Sequence, residues 1–94
     1  MVSLTDAELV ARIMQALASP VRVQILAQIQ RQETTVGDLV ELLHLSQPAL
    51  SNHMRVLRDL RLVRQRREGR HIHYTLDDDH IGKLLDQMLS HVRH

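Results

Sequence analysis

Four residues near the C-terminal end have types and spacing that could do chemistry: Asp78 and His80, then, ten residues on, His91 and His94, in the pattern Asp-x-His-x10-His-x-x-His. Three imidazoles and one carboxylate suit tetrahedral zinc or cobalt, whereas nickel usually asks for more ligands. No histidine stands near the N-terminus to supply the extra ones, although Co(II) and Ni(II) remain alternatives to Zn(II). The chain has no cysteine, so it offers no thiolate to a metal, forms no disulfide and cannot sense oxidants through sulfur. On a helix, His80 and His91 lie about 20° apart around the axis but about 16 Å apart along it, too far to share one ion. His91 and His94, at i and i+3, can share an ion, and Asp78 can join His80 where the helix begins. Each chain then carries two half-sites at opposite ends of one helical edge. If two such helices pack antiparallel about a two-fold axis near Leu85 and Asp86, each Asp78/His80 pair meets a His91/His94 pair, giving two complete four-ligand sites per dimer. Ordinary readings exist for each residue alone, with Asp78 as an N-cap, His80 on the first turn, and His91 and His94 favoured by the helix dipole.

The element that must hold these residues is a C-terminal helix expected over 79–94, with an apolar stripe of Ile81, Leu84, Leu85, Met88 and Val92 suited to dimerisation. Four helices are expected upstream. The first opens at Thr5-Asp6-Ala7-Glu8, which has the form of a capping box, and carries Leu9, Val10, Ile13, Met14 and Leu17. The second starts at Ser19-Pro20 and runs through Val23, Leu26 and Ile29; the third spans Val36 to about Leu43 behind Thr35 as cap. His44-Leu45-Ser46 then makes a short turn into a helix from Gln47 to Leu60, so residues 35–60 read as a helix-turn-helix.

On that last helix Leu50, Met54 and Leu57 repeat at i, i+4 and i+7 and must face the core. The opposite face presents Pro48, Asn52, Arg55 and Asp59, with Ala49 and Ser51 beside it, a small and polar surface suited to a major groove, and Gln47 at the helix start joins these as a candidate DNA contact. His53 lies nearer the buried stripe and reads as a packing or capping residue. After Leu60 the period changes from helix to strand, and Val63 to Arg67 and Ile72 to Leu76 alternate about Glu68-Gly69-Arg70, so 62–76 forms a β-hairpin wing. Seven of the chain's twelve basic residues fall between Arg55 and Arg70. Arg66, Arg67 and Arg70 are placed at the wing tip, within reach of phosphates flanking the groove. His71 and His73 read as wing residues, and neither they nor His44 have ligand spacing.

Length and composition set the outer bounds. At 94 residues the chain has room for one compact domain, 1–94, with a thin core that dimerisation would help to cover. Tyr74 is its only aromatic residue, which argues against single-strand and RNA binders that stack bases on aromatic side chains. No apolar run approaches the length of a membrane span and no signal-peptide pattern opens the chain, so a cytoplasmic protein is expected. An enzyme is not expected, because three His and one Asp close the zinc shell and leave no position for water. The expected fold is thus mainly α (α+β): a winged helix-turn-helix of about five helices and a β-hairpin wing, dimeric through its N- and C-terminal helices.

The sequence resembles the ArsR/SmtB family of metal-sensing repressors over nearly its whole length. The resemblance rests on Leu17-Ala18-Ser19-Pro20-Val21-Arg22 with Ile25-Leu26, on Leu45 to Met54 through Leu57, and on the wing Gly69 to Leu76. The Asp78, His80, His91, His94 pattern looks like the C-terminal-helix site of the family's zinc and cobalt sensors. What the resemblance implies is a homodimer that represses in the apo state at an imperfect inverted repeat in double-stranded operator DNA. Metal binding would release it and derepress efflux or sequestration genes. It also implies a relay in which the free nitrogen of His91 donates to a backbone carbonyl near Arg61, at the end of the reading helix. The sequence departs from the family's soft-metal sensors, since Thr35 and Gly37 stand where those carry cysteines. A winged-helix regulator of the same build with no metal response is the rival reading.

Overall fold

Short polar side chains decide where each helix begins. The computed structural model describes residues 1–94, in the order α1 (Leu4–Leu17), α2 (Pro20–Arg31), β1 (Thr34–Thr35), α3 (Val36–Leu43), α4 (Gln47–Asp59), β2 (Val63–Glu68), β3 (His71–Leu76) and α5 (Asp79–Val92). Ser19, Thr35, Ser46 and Asp78 cap α2 to α5, each accepting from a backbone N–H of the first turn. The start of α1 differs from the sequence expectation. Ser3, not Thr5, is the cap, its hydroxyl accepting from Asp6 N at 3.1 Å. Thr5 falls inside the first turn, because a serine two residues earlier already satisfies the free donor.

The end of α4 is equally well defined. Leu62 N donates to Leu57 O at 2.9 Å, and Arg61 N to Arg58 O at 2.9 Å, with Arg61 itself in the left-handed region at φ 58°. Glycine usually fills that place at a helix end; a side chain there costs about 1 kcal/mol. The junction turns the chain directly into β2. Gly69, at φ 60°, then occupies the two-residue turn between β2 and β3, a conformation glycine adopts without strain.

The sheet has the order β1-β3-β2 and is antiparallel throughout. The wing register runs from Val63 opposite Leu76 to Glu68 opposite His71, while Thr34 pairs with Tyr74 and Thr35 with His73. β1 has no counterpart among the sequence expectations, since two residues are too few for an alternating pattern; only its pairing with β3 makes it a strand. The core joins Ile25, Leu26 and Ile29 of α2, Leu39 of α3, and Leu50, Met54 and Leu57 of α4 to Leu62, Val63, Tyr74, Ile81 and Leu85.

The terminal helices give the core only part of their apolar surface. Ile13 and Leu17 of α1 pack against it, but Leu9, Val10 and Met14 stay exposed, as do Met88 and Val92 of α5. Helix α5 also stops at Val92, with Arg93 as its cap residue, so His94 lies beyond it and the helix is shorter than the expected 79–94.

Candidate nucleic-acid interface and metal half-site

The buried stripe of Leu50, Met54 and Leu57 fixes how α4 is rolled on the body. It leaves Gln47, Pro48, Ser51, Asn52 and Arg55 exposed and Ala49 half-buried at the edge. Asn52 Oδ1 accepts from Arg55 Nη2 at 2.7 Å, which holds two of the candidate reading side chains together on the outer face. On the inner side His53 Nδ1 accepts from Arg22 Nε at 3.1 Å, and Arg22 Nη1 reaches Ala16 O at 3.4 Å. His53 therefore joins α4 to the start of α2 and the end of α1, in keeping with its reading as a packing residue. Burial, and then the Arg22 charge, hold its imidazole below the usual histidine range.

A second set of bonds fixes the wing relative to α4. Gln65 Oε1 accepts from Arg58 Nη1 at 2.8 Å and from the Tyr74 hydroxyl at 3.1 Å. Burial pushes the Tyr74 phenol up, so it stays a neutral donor. With period-two alternation, Val63, Gln65 and Arg67 share the face turned to α4, whereas Arg64, Arg66 and Glu68 share the opposite face. Arg67 and Arg70 lie at or beside the turn with exposed side chains. Arg66, grouped with them by sequence, pairs in register with His73, lower on the hairpin. Its guanidinium meets Glu33 Oε1 at 2.5 Å and Glu68 Oε2 at 2.6 Å, and His73 Nδ1 stands 3.4 Å from the same Glu33 oxygen. The hydrogen bonds from Arg66 hold both carboxyls below their ordinary range. Glu33 carries no signal of this role in the sequence, because no local spacing links it to a strand thirty-three residues away.

At the start of α5 the Asp78 carboxylate and the His80 imidazole converge, with Oδ1 and Nδ1 3.3 Å apart. Asp78 Oδ1 also accepts from His80 N at 2.9 Å. That backbone bond, and then the His80 side chain, hold the Asp78 carboxyl below its ordinary range. Asp78 is thus a cap and a potential ligand at once. The pair sits on the rim of a cavity of about 370 Å³ lined by Val10, Ile13, Met14, Arg61 and Leu84 among others. His91 is on the last turn of α5 and His94 two residues beyond the helix. Within one chain no three His, Asp or Glu side chains gather closely enough to hold a metal. The donor set at Asp78 and His80 fits half of a zinc or cobalt shell.

A capped helix-turn-helix with an exposed polar reading face, followed by a basic hairpin, defines a winged-helix DNA-binding transcriptional regulator. The sequence profile of the bacterial regulatory protein arsR family matches residues 19–65, and the chain belongs to that family. It is 45% identical to the HTH-type transcriptional regulator NmtR of Mycobacterium tuberculosis, over 90% of this chain and 71% of the relative. It is 37% identical to a transcriptional repressor SmtB homolog of Synechocystis, over 97% of this chain and 69% of the relative. The solution structure of apo-NmtR superposes with a TM-score of 0.82 at 41% identity, covering all of this chain and 79% of that one. These relatives are transcriptional regulators, and the chain is a regulator and not an enzyme. No single helix is long and apolar enough to cross a membrane.

Proposed function

We propose that the chain is a metal-responsive repressor that binds operator DNA as an apo dimer and lets go when Zn(II), or its close substitute Co(II), is bound. One observation carries the metal part of this reading: the Asp78 carboxylate and His80 imidazole converge at 3.3 Å on an exposed rim, while His91 lies on the last turn of the same helix and His94 just past its end. Two donors leave half a tetrahedron to be filled. The partner's His91 and His94 would fill it if two α5 helices pack antiparallel.

The unpaired apolar residues support the same dimer. Leu9, Val10 and Met14 of α1 and Met88 and Val92 of α5 are exposed, and a second copy is the occupant that would cover both helices at once. In the DNA-bound dimer, Gln47, Pro48, Ala49, Ser51, Asn52 and Arg55 face bases in successive major grooves of an inverted repeat, while Arg67 and Arg70 lie on flanking phosphates. Arg61 shares the cavity rim with Asp78 and His80, so a partner His91 arriving there would stand beside the end of the reading helix. Its free nitrogen would donate to a carbonyl near Arg61 and orient the ligand. Release requires that metal and DNA favour different dimer geometries, with a coupling on the order of 1–3 kcal/mol or more. The regulated genes would be those for metal export or sequestration, and the protein would act in the cytoplasm.

The test uses the two-chain origin of each site. A chain with Asp78→Ala and His80→Ala is mixed with one carrying His91→Ala and His94→Ala, and the heterodimer is titrated with zinc. One strong site per heterodimer is expected, with none in either homodimer. If no heterodimer regains a site, the cross-chain arrangement is wrong while DNA binding stands.

A further inference from the structure

We propose that Arg66 is the wing's anchor rather than a phosphate ligand, and that Glu33, in the short link between α2 and β1, is the residue that positions it. Three observations lead there. First, the guanidinium is already held from two directions, by Glu33 at 2.5 Å and by Glu68 at 2.6 Å. Two carboxylates at such distances take up one donor on each terminal nitrogen and offset the charge locally, so a phosphate would have to displace them to bind. Second, strand alternation puts Arg66 on the wing face opposite to the one that Gln65 turns toward Arg58 of α4. Arg67 shares the face of Gln65, so the two neighbouring arginines point to opposite sides. Third, Glu33 belongs to neither strand of the hairpin. It lies between α2 and β1, so its bond to Arg66 ties the hairpin to the helical body.

A two-stranded hairpin alone is marginal in water. This wing is braced on one face by Arg58, Gln65 and Tyr74 and on the other by Glu33, Arg66 and His73. With the pairing of β1 to β3, these two braces fix the angle at which Arg67 and Arg70 are carried. Glu33 therefore acts on DNA affinity without touching DNA.

Salt dependence separates an anchor from a phosphate ligand, because each phosphate that a variant no longer neutralises lowers the slope of log K against log salt by about 0.9. The probe is a fluorescein-labelled duplex from the promoter of the chain's own gene, with a random duplex as control, followed by anisotropy over a salt series. Arg66→Ala and Glu33→Gln are expected to weaken binding by a common factor on both duplexes with the slope unchanged. Arg67→Ala and Arg70→Ala should each lower the slope. The exchange Glu33→Arg with Arg66→Glu should recover most of the affinity that Arg66→Glu alone loses, since a glutamate at 66 cannot bind phosphate but can still meet an arginine at 33. Circular dichroism melting confirms that each variant is folded. The proposal is overturned if Arg66→Ala lowers the slope by about 0.9, the amount one phosphate accounts for. It is also overturned if Glu33→Gln tightens binding as a freed guanidinium reaches phosphate, if neither single change alters affinity, or if the exchange recovers nothing.

Discussion

Gly82 sits where α5 crosses α2, and replacing it with alanine sets two effects of similar size against each other. A Cβ at this position would stand 2.9 Å from Gln30 Nε2, 3.3 Å from Gln30 Cδ and 3.2 Å from Leu76 Cδ1. Leu76 can give by a few tenths of an ångström, but Gln30 must leave. Its amide donates to Gly82 O at 3.2 Å and to Asp86 Oδ2 at 3.1 Å, and each such bond contributes about 0.5–1.5 kcal/mol net. The loss is therefore about 1–3 kcal/mol. Against it stands the helix preference for alanine over glycine, about 1 kcal/mol. Gly82→Ala is expected to destabilise by about 0–2 kcal/mol in the native chain and to stabilise by up to about 1 kcal/mol in a Gln30→Ala background, where the Gln30 clash and bonds are already gone and only the yielding Leu76 contact remains. Urea unfolding followed by circular dichroism reads both changes. All four proteins must be held at one concentration, because the stability of an associating chain depends on it. The same change in both backgrounds, or stabilisation of the native chain, would refute the claim that Gln30 and Gly82 together seat α5.

Four further outcomes follow from the geometry. Leu57→Ala, at a side chain with no exposed surface, should cost about 2–5 kcal/mol in the same unfolding assay. His53 has a lowered pKa in the folded state, so the unfolded chain binds more protons once pH falls toward and below the ordinary histidine value of 6.5. The stability it contributes is complete above that value and is lost as pH falls from there toward the folded pKa; His53→Asn, which can still accept from Arg22, should remove this part of the decline in a series of melting temperatures. Changes to alanine at Gln47, Ser51, Asn52 or Arg55 should alter base preference in a binding-site selection, and equal losses on every duplex would sink their assignment as readers. His80→Ala should leave a folded protein that holds operator DNA when zinc is added, and normal zinc release by that variant in an anisotropy assay would remove His80 from the ligand set.

Much of the fold is legible in the sequence because its signals are local. Ser19-Pro20, Thr35 with Asp38, and Ser46 with Pro48 start helices through bonds spanning three residues, and the core stripe of α4 repeats within one helix. The hairpin is legible from alternation and a glycine at the turn. What escapes such a reading depends on partners distant in sequence. β1 exists only through Thr34 and Thr35 pairing with Tyr74 and His73. Arg66 is indistinguishable in sequence from its neighbours Arg67 and Arg70, and only Glu33 beside it sets it apart. The same limit governs the proposed metal ligands, whose spacing suggests two half-sites but whose completion would depend on a second chain. Ser3 is a different kind of miss: the Thr5 to Glu8 pattern is a legitimate cap signal, but an earlier serine is also able to start the helix.

The two-residue turn at Gly69 and Arg70 constrains how this wing could be lengthened by evolution or design. The hairpin is anchored at its base and every side chain alternates faces, so a residue inserted in one strand alone would turn all those beyond it to the wrong side. Adding one residue to each strand keeps the base intact but presents the turn the other way up. Only two added pairs restore the present orientation of the tip, and they extend it by about 6.8 Å at about 3.4 Å per residue. On B-DNA, where successive phosphates of a strand follow one another along the axis at about 3.4 Å, such a step moves the tip by about two nucleotides. The footprint of such a wing would therefore grow in discrete increments, and homologues with longer wings should differ from this one by multiples of four residues in the hairpin.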